Sequence, residues 1–152
     1  MPTLESARRS RERLDARLAT LGPAERYAPP RTGWLRAVRE ALGMAQADLG
    51  RRLGVSQQSV QTMERSEQAG TISLNTLRRA AAALDCTVAY VLVPNTSLRD
   101  TVVAQAERIV DAEAAAVERT MALEAQPAAL LPAARATLVE RLIRSGRLWG
   151  ER

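Results

Sequence analysis

Apolar positions recur at three- and four-residue steps along most of this chain, and the places where that rhythm breaks divide it into segments. Residues 3–20 read as a charged helix whose few large apolar positions are Leu4, Leu14, Leu18 and Leu21, ended by Gly22-Pro23. Residues 27–33 are a linker, because Pro29-Pro30 stays extended and cannot enter a helix interior. Thr32 then reads as the cap of a helix over 33–42, with Trp34, Leu35, Val38 and Leu42 inward and Trp34 as a core anchor. Two short helices follow over 46–65, then a loop at 66–71. The next helix starts at Ser73 or Asn75 and runs to Leu84, with Leu74, Leu77, Ala80, Ala81 and Leu84 on its inner face. Ser97 caps a long helix to about residue 125, with Val102, Ala106, Ile109, Val117 and Met121 along one side. Pro132 opens the last helix, which carries Leu138, Val139, Leu142 and Ile143.

One stretch breaks the helical rhythm. Thr87, Val88, Ala89, Tyr90, Val91, Leu92 and Val93 are β-branched and apolar, and Pro94 stops them, so they read as a single strand. A lone strand in a helical chain leaves its N–H and C=O groups as an open edge. The same strand from a second copy satisfies them, as a two-stranded antiparallel ribbon across a two-fold axis. The other reading is an extended tail packed on its own domain.

Residues 46–65, QADLGRRLGVSQQSVQTMER, organise the rest. Ala47, Leu49 and Leu53 are the apolar positions of the first short helix. Gly54 stands where the chain reverses, since glycine takes positive φ without a steric penalty. Ser56 is a ready N-cap for the second helix. Val60 and Met63 face inward there, while Gln57, Gln58, Gln61 and Thr62 face out. Glutamine amides pair two-pronged with adenine in the major groove. The stretch resembles the helix-turn-helix of lambda-repressor-like proteins and of the wider XRE family, through Gln46, Leu49, Gly50, Leu53, Gly54, Val55, Val60 and Met63 at the family's spacings. The fifth position is usually Ala; Gly50 is as small.

The resemblance implies an all-α, lambda-repressor-like domain, here with one short strand and a C-terminal helical extension. It implies double-stranded DNA as partner. Gln46 is then expected to contact phosphate, Gln57 and Gln58 to read bases, Gln61 and Thr62 to support or extend that readout, and Ser56 to belong to the same DNA-binding set. Arg51 and Arg52 are expected to face phosphate. The division expected is a basic arm and linker at 1–30, a DNA-binding domain at 31–94 with its dimerising strand at 87–93, and a partner-binding helical region at 95–152.

Charge changes the picture next. All 22 basic residues are Arg; residues 1–54 hold 11 of them against 6 acids, whereas 55–95 hold 3 against 3 and 96–152 hold 8 against 8. The excess charge therefore lies in the N-terminal third, as expected of a part that faces phosphates. Arg8, Arg9, Arg11, Arg13 and Arg17 make the first helix an arm over DNA, an arm around a partner subunit, or a solvated helix. Cys86 is the one cysteine and His is absent, so no disulfide, zinc site or His-activated nucleophile is expected. No cofactor and no enzymatic activity are expected either. No apolar run reaches the ~18 residues of a membrane span, and the expected location is the cytoplasm, on the nucleoid.

The segments GWLRAVREALGM, TISLNTLRRAAAALDCTVAYVLVP and RLIRSGRLWGER, with the motif between them, are similar to a bacterial branch of the XRE family, the mobile mystery protein A group. Its members are typically encoded beside a Fic-domain protein. The resemblance implies an antitoxin-like repressor, a homodimer on an inverted-repeat operator, paired with a Fic enzyme that transfers AMP. A second class of function is an interaction protein whose C-terminal helices restrain that enzyme. Fic antitoxins often carry Ser/Thr-x-x-x-Glu-Gly/Asn. Thr120 and Glu124 fit that form, and Ala125 departs from it.

Overall fold

The computed structural model describes residues 3–122 and 130–150. Every regular element among them is helical: α1 (Leu4–Ala19), a 3-10 turn (Ala24–Tyr27), α2 (Trp34–Ala41), α3 (Gln46–Leu53), α4 (Gln57–Gln68), α5 (Leu74–Ala83), α6 (Leu98–Ala122) and α7 (Pro132–Ser145). The all-α, lambda-repressor-like class expected from sequence holds. The strand does not: residues 87–93 form no ladder in the single chain. The chain holds no second extended segment for them to pair with, among the described residues.

Contacts divide the chain into two compact units, Ala24–Leu92 and Met1–Pro23 with Val93–Arg152. The first helix, α1, lies in the same unit as the C-terminal helices.

In the unit Ala24–Leu92, α3 packs on α4 and α5, and α2 on α4. Leu35, Leu49, Val60, Ala80 and Leu84 form the core, with Val38, Leu53, Val55, Met63 and Leu77 packed around it. Val60 is 0% and Leu49 1% exposed, so the two helices of the motif meet through these side chains. Burying two such groups contributes about 3–6 kcal/mol. Trp34, expected as a core anchor, is 49% exposed, and Leu42 is exposed as well. The buried stripe of α2 runs from Leu35 to Arg39. Trp34 lies about 100° round from Leu35 and falls on its edge.

The N-terminus of α2 is closed from outside its own sequence. Thr32 is not the cap; Gly33 is, at φ 79°, and it offers no side chain. Glu67, expected in a loop, sits in the last turn of α4 and reaches back. Its two carboxylate oxygens accept the N–H groups of Trp34 and Leu35, each at 2.8 Å. A carboxylate there also meets the positive end of the helix. Gly33 is needed twice, for its positive φ and because a Cβ would lie 2.8 Å from Glu67 Oε2.

The other unit repeats this device. Asp15 of α1 accepts the N–H of Leu98 at 2.8 Å and of Arg99 at 3.1 Å, capping α6 alongside Ser97. This cap, with helix packing, is why α1 lies on α6. Val102, Ala106, Val110, Val139 and Leu148 make the core of α6 and α7. Val110 was absent from the expected stripe, and Val117 from that stripe is exposed. Arg135 of α7 ties the pair together, donating to Asp111 at 2.8 and 2.9 Å and to Glu107 at 3.2 Å.

Candidate nucleic-acid interface

The two helices of the motif are α3 and α4, and the turn between them is set by two glycines. Gly54 takes φ 69° as the C-cap of α3. The Val55 N–H then donates to the Gly50 carbonyl at 2.9 Å. Gly50 lies under that turn, and a Cβ on it would come 2.7 Å from the Val55 carbonyl oxygen. The sequence asks only for a small residue there; this turn is closed tightly enough that hydrogen suits it better than methyl.

Ser56 caps α4 as expected, its Oγ accepting the Ser59 N–H at 3.1 Å. That hydroxyl also lies 2.9 Å from Ser59 Oγ, so Ser56 is largely committed to the cap. Gln57, Gln58, Gln61 and Thr62 all stand exposed on the outer face of α4. The Thr62 hydroxyl donates to the Gln58 carbonyl at 2.9 Å, which leaves it an acceptor to offer. The three glutamine amides make no hydrogen bond to any described residue. Each therefore presents a free donor and acceptor pair in water.

Behind that face lies a charged network that the sequence analysis missed. Arg39 of α2 and Glu64 of α4 are both buried, 6% and 5% exposed. The Arg39 guanidinium donates to Glu64 at 2.6 and 3.3 Å and to the Met44 carbonyl at 2.7 Å. Gln46 Nε2 donates to the same Glu64 at 2.8 Å. One carboxylate thus joins α2, α3 and α4, and the buried charges are paired and hydrogen-bonded. The signal was legible: Arg39 lies four residues after Leu35, and Glu64 four after Val60, so both fall on inward faces.

This changes what Gln46 offers. One of its two side-chain N–H groups is spent inside the protein, leaving the other, the carbonyl oxygen and the backbone N–H. The Gln46 and Ala47 N–H groups have no acceptor among the described residues, and α3 presents them at its positive end. Ala45 cannot cap through its side chain, but Asp48 accepts the Ala45 N–H at 2.8 Å. Arg51 pairs with Asp48 and keeps a largely exposed side chain. Arg52 donates one N–H to the Ala83 carbonyl at 3.0 Å, closing the C-terminus of α5.

The fold is that of a helix-turn-helix DNA-binding module, formed by α3 and α4. Residues 35–91 match the Helix-turn-helix family model, which supports the XRE-like reading and a DNA-binding regulator. A search of curated proteins and a search of solved structures each gave no match.

The remaining expected sites fall elsewhere. Thr120 is exposed near the end of α6, and its hydroxyl donates to the Ala116 carbonyl at 3.1 Å. Glu124 lies outside the described residues. In the segment expected to dimerise, Tyr90, Val91 and Leu92 are exposed apolar residues. Arg78 stacks over the Tyr90 ring at 5.6 Å. No described helix is long and apolar enough to cross a membrane.

Proposed function

We propose that this chain is a sequence-specific transcriptional repressor that binds an inverted-repeat operator as a two-fold dimer, controlling its own operon. One observation carries the reading: Gln57, Gln58 and Gln61 are free and exposed on a recognition helix whose other side is fixed by Val60 and the buried Glu64. Rigid backing with unspent amides suits base readout, because the amides lose water only where a base edge replaces it. The open N–H groups of α3 and the guanidinium of Arg51 supply phosphate contacts. Residues 87–93 join the two copies, since their exposed apolar side chains and unpaired backbone suit a ribbon.

The partner belongs to the same reading. The chain acts as the antitoxin-like companion of a Fic-domain protein from the adjacent gene, with Thr120 and Glu124 entering its active site. Sequence resemblance supports this part.

A fluorescence-anisotropy titration against DNA upstream of the operon tests the repressor reading. The expected result is saturable binding that survives excess unrelated duplex, with footprints on two half-sites. Equal affinity for unrelated duplex at physiological salt refutes specific readout.

A further inference from the structure

The unit Ala24–Leu92 carries a groove of about 380 Å³ that meets α4 only at Glu67 in its last turn, and Gln57, Gln58 and Gln61 do not line it. Its floor is apolar, from Leu35, Leu77 and Leu84. Trp34 and Tyr27 line it, each half-exposed. Small-molecule sites of roughly 300–1,000 Å³ are built this way, with an apolar body and few polar groups.

The polar lining decides the charge of an occupant. Glu67 is the one acid, and both its oxygens already accept N–H groups of α2. Arg26 lines the same groove and makes no ion pair or hydrogen bond with any described residue. One wall is residues 87–89, whose backbone makes no hydrogen bond to the described chain. That wall is held by side-chain packing alone, so an inserted ligand displaces it easily.

We infer that this groove is an effector site for a flat aromatic anion, such as an aromatic carboxylate, stacked on Trp34 and paired with Arg26. The same residues 87–89 open the proposed dimer joint, so occupancy loosens the dimer and releases DNA. The effect on DNA rests on the repressor reading; binding in the groove does not.

The test uses the full chain with Trp149→Phe, which leaves Trp34 as the only tryptophan. Anilinonaphthalene sulfonate is the anionic probe, and phenylnaphthylamine its neutral counterpart. The sulfonate should quench Trp34 emission saturably. Arg26→Gln, an exposed change checked by circular dichroism, should weaken the sulfonate about fivefold and leave the neutral probe unchanged. Absence of saturable quenching, or equal sulfonate affinity in Arg26→Gln, overturns the site. Quenching that declines as protein concentration rises shows a second copy filling the groove, and overturns it too.

A second arm reads sedimentation and operator binding with probe in excess. A shift to monomer with about tenfold weaker operator binding supports the coupling. Binding without either change overturns the coupling. A chain that is monomeric before probe is added fails the repressor reading, and the Trp34 titration still decides the groove.

Discussion

At the scale of single residues, the proposed repressor separates on α4 groups that would read DNA from groups that hold the fold. Gln57 and Gln58 are free to read, and Gln57→Ala or Gln58→Ala should cost ~1–3 kcal/mol of operator affinity and relax base preference at one position per half-site. Anisotropy against single-base operator variants measures this; unchanged affinity in both mutants refutes the recognition-helix assignment. The two arginines of α3 should behave differently. Arg51→Ala should weaken binding to every sequence and reduce the salt slope by about 1. Arg52→Ala should also cost stability, because it leaves the Ala83 carbonyl without its donor. Glu64 only holds. Glu64→Ala leaves the buried Arg39 charge with only the Met44 carbonyl and the half-exposed Glu40 carboxylate at 3.7 Å, and should destabilise the unit by about 3–5 kcal/mol in urea unfolding. A cost below 1 kcal/mol would show that water reaches Arg39.

At the scale of elements, local signals and long-range ones were unequally legible. Ser56 at the start of α4, Gly54 at the turn and the Ala80–Ala81–Leu84 face of α5 follow from spacing and short-range bonding, and the chain alone shows them. Carboxylates from other helices, more than thirty residues away in sequence, cap α2 and, alongside the local Ser97, α6. No local rule reads such a cap, so Thr32 looked like the nearest candidate and Glu67 looked like loop. The same limit holds for α1: its charge pattern suits solvent, and the Asp15 bonds that fasten it to α6 have no local signal. The outward glutamines of α4 were visible in the sequence; the commitment of Gln46 to Glu64 needed three helices at once.

The α6–α7 pair gives a pH prediction at this scale. Hydrogen bonds from Arg135 hold the Asp111 carboxyl below its ordinary value of 3.8. A depressed carboxyl contributes stability that is present above the unfolded value and lost as pH falls through the folded one. Asp111→Asn should therefore be less stable than wild type at neutral pH. The difference should shrink as pH falls below about 4, where the wild-type carboxyl protonates. Thermal melts at several pH values measure it. A difference that stays constant down to pH 2 would mean that the Arg135 contact is not made in solution.

At the scale of the whole molecule, one copy of this module would not account for the operator recognition proposed above. A single recognition helix covers only a few base pairs, and affinity at cellular salt needs a second half-site. Residues 87–93 carry Tyr90, Val91 and Leu92 exposed, and their backbone makes no hydrogen bond to the described residues. An unpaired apolar edge of this kind either aggregates or finds a copy of itself. In the proposed dimer a two-fold ribbon would set the spacing, since two α4 helices must sit ~34 Å apart to enter successive major grooves. Val91→Pro removes a ladder donor without touching α4. It should give a monomer in sedimentation, with non-specific DNA affinity kept and operator affinity lost by about 4–10 kcal/mol, the gap between specific and non-specific binding. Restoring the joint by fusing a two-stranded coiled coil to the C-terminus of the Val91→Pro chain should recover part of that loss, because the module itself is intact. An unchanged dimer in Val91→Pro would move the joint elsewhere. A monomer that keeps full operator affinity would remove the two-fold requirement altogether.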